Sequence, residues 1–387
     1  MYKSLHSFIS NRESRAVGMV FMALAVIFGA WVTRLPEIKE RLNLDEGQLG
    51  LALFFMPLGA TILLPFYSKI IQKLGERKST IIGILSFLVA IVLPIAARTY
   101  IELMIGLFIV GLSMGLTDVA MNAVAAEVEN QKKRVIMSTC HGFFSIGGMI
   151  GAATASIFIG LGASPLIHIG LWSVVLALMV ISVAKNLLNS DQEHAEAHVF
   201  RFPPKSILGL ALIGFCIMLS EGAITDWSTI YLKDNLGAPA ALSGLGFAGF
   251  AGLMSLGRFL GDNLIQKYGN KQLVFLGCIL SILGLVMLQV NNYGFAIAGL
   301  SVAGLGFSVI VPILFSSAAK QPGVKASVGI ASVASSGYIG LLMGPVIIGF
   351  VADSWGLKNG FLFLAFLTFL ALLLSATVWK KSTIEKA

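Results

Sequence analysis

The chain has 387 residues, of which 57% are hydrophobic and 12% charged, against about 25% charged in an ordinary soluble domain. With a mean hydropathy of +0.88, that composition excludes a water-soluble globular protein. The net charge of +8 would point to nucleic acid or acidic partners in a soluble chain; here it follows from an asymmetry between loops, and no nucleic-acid partner is expected.

The first apolar run, Ala16 to Trp31, follows a polar, basic leader and lacks a small-residue cleavage site. It reads as a retained helix rather than a removed signal. Runs of about 18–22 apolar residues, the length that crosses a hydrocarbon core, then recur. The expected spans in the first half are 16–35, 47–67, 79–97, 102–125, 135–160 and 165–186. In the second half they are 206–228, 240–261, 272–290, 293–316, 326–350 and 359–379. The three cysteines, Cys140, Cys216 and Cys278, fall in or beside these runs without CxxC or metal spacing, so buried thiols are expected rather than disulfides.

A polar stretch, Asn186 to Lys205, separates the two sets and holds Asp191, Glu193, His194, Glu196, His198 and the Pro203-Pro204 pair. It reads as a linker, and the i,i+4 spacing of His194 and His198 as a solvated face rather than a metal site. The expected division is an N-terminal half at 1–186, a linker at 187–205 and a C-terminal half at 206–387.

Lys and Arg counts set the orientation. Of 27 basic residues, only Arg34, Lys39, Arg41, Arg98, Lys233 and Lys358 fall in alternate loops. Both termini and the linker are therefore expected in the cytoplasm, with the chain in a bacterial inner membrane.

An internal repeat supports two halves. Ile71-Gln72-Lys73-Leu74-Gly75-Glu76-Arg77 recurs as Ile265-Gln266-Lys267-Tyr268-Gly269-Asn270-Lys271, 194 residues on. Gly50-Leu51 and Gly244-Leu245 keep that offset. The expected fold class is an all-α membrane protein, with twelve transmembrane helices in two pseudo-symmetric six-helix bundles related by an axis along the membrane normal.

The I-Q-K-x-G loops resemble a degraded form of the loop signature of the major facilitator superfamily. Gln72 and Gln266 stand where that signature carries aspartate. The resemblance implies gating roles for Lys73, Arg77 and Lys267, with Arg258 and Asp262 beside the second copy. Trp31-Val32-Thr33-Arg34-Leu35-Pro36-Glu37-Ile38, Gly115 to Asn122, His141 to Ser145 and Glu221 to Trp227 together resemble the YbjJ-like group of bacterial transporters. That group is related to the proton-coupled fucose permeases, and the resemblance covers nearly the whole chain.

Ionisable side chains inside a span cost on the order of 3 kcal/mol or more at the helix centre and mark functional candidates. Asp118 lies in the fourth span with Asn122 one turn further on the same face. A carboxylate in a low-dielectric surrounding can carry a proton as access alternates. The acid-x-x-x-Asn pattern of the fucose permeases matches Asp118 and Asn122, which implies coupling and substrate contact; the other reading is a pair that only fixes packing. His141, in the fifth span at similar depth, reads as a relay partner of Asp118 or as a structural histidine. Glu221, in the seventh, is a candidate for coupling or substrate contact.

Arg34 and Asp226 occupy matched ends of spans one and seven, where they read as a gate or as two separately solvated residues. Trp31 and Trp227 beside them read as interface anchors or as rings for a sugar face. Glycine pairs Gly111/Gly115, Gly147/Gly151 and Gly340/Gly344 have the spacing that allows close helix approach, and Gly344-Pro345 is a candidate bend.

No phosphate-cradling loop, HExxH or nucleophile elbow occurs, so neither an enzyme nor an ATP-driven pump is expected, and no cofactor or metal. The expected function is proton-coupled symport of a small hydrophilic solute, a sugar or sugar derivative, by alternating access and as a monomer. The alternative is a proton-antiporting exporter of drugs or metabolites.

Overall fold

The computed structural model describes residues 8–133, 136–189 and 203–384. Linker positions 190–202, including Asp191, Glu193, His194, Glu196 and His198, lie outside the described residues. Among those described the regular structure is helical, without strands.

In the first half the helices are α1 (Arg12–Thr33), α2 (Leu35–Arg41), α3 (Glu46–Ile62), α4 (Leu64–Leu74), α5 (Glu76–Ala90), α6 (Val92–Ala96), α7 (Tyr100–Lys132), α8 (Met137–Gly160) and α9 (Pro165–Val183). In the second they are α10 (Leu208–Ile230), α11 (Ala240–Tyr268), α12 (Asn270–Met287), α13 (Tyr293–Phe307), α14 (Ile310–Ala319), α15 (Ala326–Trp355) and α16 (Leu357–Ile384). A π-helical turn, Tyr231–Asn235, follows α10.

Among the described residues eleven helices are long and apolar enough to cross a membrane, against the twelve spans expected. The difference is the second span. It breaks at Leu63 into α3, of 17 residues, and α4, of 11, with a proline in the first turn of α4. Proline supplies no N–H to the preceding turn and its ring crowds it. Two other expected spans are also divided, at Ile91 and between Phe307 and Ile310, and these are among the eleven. The fold remains that of two six-helix halves. By contrast, α15 runs unbroken through Pro345, so the expected bend does not end that helix. Helices α7 and α11 outrun their expected ends because polar residues such as Glu127 to Lys132 continue the helix. Hydropathy registers the apolar part of a helix, not its polar extension.

The chain forms two compact units. Unit 1 comprises Met1–Leu44, Ala52–His198 and Pro239–Ala248; unit 2 comprises Asp45–Leu51, Val199–Ala238 and Gly249–Ala387.

Inside unit 1 the most extensive pairing is α1 with α8, followed by α5 with α7; inside unit 2 it is α10 with α15, followed by α12 with α13. The glycine pairs explain the first of each. A methyl group at Gly147 or Gly151 of α8 would run into the backbone carbonyls of Met22 and Val26 in α1. A methyl group at Gly340 or Gly344 of α15 would approach those of Phe215 and Leu219 in α10 in the same way. Lipid tails are as apolar as leucine, so helices associate through close packing rather than through the hydrophobic effect. Glycine is what permits that approach.

The repeat extends to backbone conformation. Positive φ occurs at Asn43 and Gly237, at Gly75 and Gly269, and at Gly162 and Gly356, each pair 194 residues apart. Gly75, Gly269 and Gly356 are single-residue joints between successive helices, with φ near +80° and ψ of 156°, 161° and 149°. That region is essentially confined to glycine, which accounts for the glycine of the I-Q-K-x-G loops.

Large apolar side chains face outward along α9 (Leu171, Val174, Leu178, Ile181) and along α16 (Leu362, Phe366, Phe369, Leu373). This is the helical spacing of a lipid-facing stripe. All three cysteines are buried and free.

Candidate functional site

Asp118 stands in the part of α7 that the charge asymmetry assigns to the cytoplasmic side, and the chain there is continuous helix from Tyr100 to Lys132. Asn122, one turn on, donates from Nδ2 to Asp118 Oδ1 at 3.2 Å and to the Asp118 backbone carbonyl at 2.8 Å. Both residues are partly accessible, whereas Thr117 and Met121 beside them are buried. Tyr67 of α4 fixes α7 two turns earlier by donating to the Leu112 carbonyl at 2.9 Å.

His141 reads from the sequence as a relay partner of Asp118 or as a structural histidine, and what the structure describes of each is a different neighbour. Asp118 is engaged by Asn122, and the His141 ring lies edge-on to Phe21 of α1, centroids 5.3 Å apart. Similar depth on consecutive helices does not determine which way two side chains turn.

From Phe215 to Asp226 the accessible residues of α10 form one stripe: Phe215, Met218, Glu221, Gly222, Thr225 and Asp226. The rest of this stretch, including Leu219, Ser220, Ala223, Ile224 and Trp227, is buried, and α10 packs against α15 and α16. Glu221 Oε1 is buried without a hydrogen-bond partner among the described residues. The Thr225 hydroxyl donates to the Glu221 backbone carbonyl at 2.8 Å. Arg258 of α11 lies within electrostatic range of Glu221, so the two charges act on each other. The sequence groups Arg258 with the loop, next to Asp262; the Asp262 side chain is outside what the structure describes.

Arg34 is held within unit 1. It is 1% exposed and its Nη1 pairs with both Glu37 oxygens, at 2.7 and 2.9 Å. Its Nη2 donates to the Ala163 carbonyl at 3.0 Å, and its Nε to His168 Nδ1 at 3.5 Å. His168 is itself stacked on Phe158. The reading of Arg34 as a solvated interfacial residue is thus corrected: its charge is matched by the carboxylate three residues on. Asp226, in contrast, is partly accessible, on the stripe of α10.

Trp31 and Trp227 are 1% and 0% exposed, which corrects both the anchor and the sugar-face readings in this conformation. Their alternation with Arg34 and Asp226 reflects helix ends, but their rings turn inward. Lys73 and Lys267 are exposed and Arg77 partly so; the Arg77 backbone N–H donates to Asn189 Oδ1 at 2.9 Å, beside Gly75.

Two residues of consequence escape sequence reasoning. His168 is legible as an ionisable residue inside an apolar run, but it stands near the run's start. Glu129 accepts from the Ile136 and Met137 N–H groups at 2.6 and 2.8 Å. It thereby caps the first turn of α8, four residues ahead of His141. Its position in a charged loop gives no signal, since only the return of the chain brings the carboxylate to those donors.

This geometry has relatives among known proteins. Residues 16–209 and 210–386 each match the Major Facilitator Superfamily, a division that falls between the two halves. An uncharacterised MFS-type transporter of Yersinia pestis is 32% identical over 344 residues, covering 89% of this chain and 90% of that protein. Among solved structures, a mutant of the nucleoside transporter NupG superposes with a TM-score of 0.72 at 13% identity, covering 94% of this chain and 98% of the other. The E. coli fucose:proton symporter FucP superposes with 0.63 at 18% identity, with the same coverage of 94% and 98%.

Proposed function

Since the chain belongs to the major facilitator superfamily, and is a membrane transporter of a small-molecule substrate rather than an enzyme, we propose that it couples uptake of a hydrophilic solute to protons. A sugar or sugar derivative is the favoured class. The resemblance to the YbjJ-like group supports this, and two proteins of the same fold are a nucleoside transporter and a fucose:proton symporter.

The observation that carries the reading is Asp118: a partly accessible carboxylate within a membrane helix, engaged by the Asn122 side chain. A charge in that position is costly, and a proton is the smallest species that removes it. Loading from one side and release to the other, by alternating access, makes occupancy of Asp118 depend on which side is open. Asn122 and Glu221 contact the solute in this scheme, and His141 tunes the proton path. Lys73, Arg77 and Lys267 at the loops serve gating, with both termini in the cytoplasm of a bacterial inner membrane and one chain as the working unit.

The test is reconstitution into liposomes with a solute panel and an imposed inward proton gradient. Asp118→Asn is expected to lose accumulation above equilibrium while retaining exchange of labelled for unlabelled solute. Accumulation by Asp118→Asn equal to wild type sinks the coupling assignment. Solute driven outward by proton entry would instead identify an exporter.

A further inference from the structure

Resting on the gating role given to the first I-Q-K-x-G loop, we infer that Asn189 is a positioning residue for that loop. From the start of the linker it supplies the helix cap that Gly75 lacks, and so fastens the linker to the loop.

The joint itself creates the need. Gly75 alone separates α4 from α5, at φ +81° and ψ 156°, a region of backbone conformation essentially confined to glycine. A helix leaves its first N–H groups without partners of its own, and the side chain just ahead of it ordinarily accepts from one of them, two or three residues on. Glycine has no side chain to do this, and Gly75 gives α5 no such cap. The acceptor comes instead from 112 residues beyond Arg77: Asn189 Oδ1 takes the N–H of Arg77, the second residue of α5, at 2.9 Å. A methyl group built on Gly75 would lie 3.0 Å from that same oxygen. The carboxamide therefore stands beside the place that a capping side chain would fill.

The segment that delivers Asn189 is held as well, inside unit 1. After α9 a 3-10 turn, Ala184–Asn186, packs against α9 and α1. Leu187 then leaves the turn in an extended conformation, with φ −72° and ψ 134°, and is 3% exposed. With Leu187 buried, the exposed Asn189 reaches α5 from a fixed base.

The repeat supplies the comparison. Gly269 makes the same kind of joint ahead of α12, at φ +78° and ψ 161°, again with no side-chain cap of its own. A methyl group there would meet nothing within 4 Å among the described residues. The position 194 residues after Asn189 is Thr383, where α16 continues as helix to Ile384 instead of turning off as α9 does. Two loops of similar sequence thus differ in attachment, and a displacement of the first draws the start of the linker with it.

The experiment is hydrogen–deuterium exchange of the purified full-length protein, read by mass spectrometry over residues 76–80 and 270–274 and corrected for intrinsic rates. In wild type the first segment is expected to exchange more slowly than the second. Asn189→Ala is expected to speed exchange over 76–80 by about fivefold, the factor a helix cap is worth, and to leave 270–274 unchanged. Asn189→Asp, which keeps the acceptor oxygen, is expected to exchange as wild type does. The inference is overturned if Asn189→Ala leaves 76–80 unchanged, if it speeds both segments alike, or if Asn189→Asp exchanges as fast as Asn189→Ala. Transport by Lys73→Gln and Arg77→Gln at the wild-type rate would overturn the gating reading instead, leaving the tie between linker and loop standing.

Discussion

Arg34 and Asp226 show how much a single side chain's partners decide. Both are charges near the ends of apolar spans, yet Arg34 is enclosed by Glu37, the Ala163 carbonyl and His168, whereas Asp226 lies on the open stripe of α10. Removing the buried guanidinium strands the Ala163 carbonyl and leaves Glu37, which is 29% exposed, without its cation. Arg34→Ala is therefore expected to lower the thermal unfolding midpoint of the purified protein markedly. Asp226→Asn, which strands nothing, is expected to leave that midpoint within the error of the measurement while altering transport. Equal midpoints for the two variants would contradict this assignment.

At the scale of elements, glycine placement sets helix spacing. Gly151 of α8 rests on the Val26 carbonyl of α1, and Gly344 of α15 on the Leu219 carbonyl of α10. Gly151→Ala must push α1 away from α8, and overpacking of this kind costs about 1–3 kcal/mol. Gly170 of α9, where a methyl group would meet nothing within 4 Å, is the control: Gly170→Ala is expected to be neutral or slightly stabilising, since alanine is the better helix former. Thermal unfolding in detergent compares the two directly. Glu129 makes an analogous point for helix ends, because its carboxylate satisfies two N–H groups that the helix cannot satisfy itself.

For the whole molecule, the repeat and the charge asymmetry of the loops predict sidedness. The native cysteines are all buried, so an added cysteine reports alone. The positive-φ glycines Gly162 and Gly356 belong to the sparsely basic loops, and Gly75 and Gly269 to the basic ones. Cysteine placed beside the first pair, at Ala163 or Lys358, is expected to react with a membrane-impermeant maleimide in intact cells. Cysteine at Lys73 or Lys267 is expected to react only after permeabilisation. The reverse pattern would invert the assigned orientation.

Composition and the 194-residue offset are enough to read the membrane class, the two halves and the glycine joints from the sequence. Those properties depend on apolar run length and on backbone conformation, which local residues dictate. Breaks inside the spans, at Leu63, at Ile91 and after Phe307, are not legible from hydropathy. Candidate ionisable residues are also legible, because a charge in an apolar run is conspicuous wherever the run folds. Their partners are not. That Arg34 turns to Glu37 and His168, that His141 meets Phe21, and that Trp31 and Trp227 are enclosed all depend on the rotation of each helix about its axis. That rotation is set by close packing between helices far apart in the chain, a property of the tertiary structure alone.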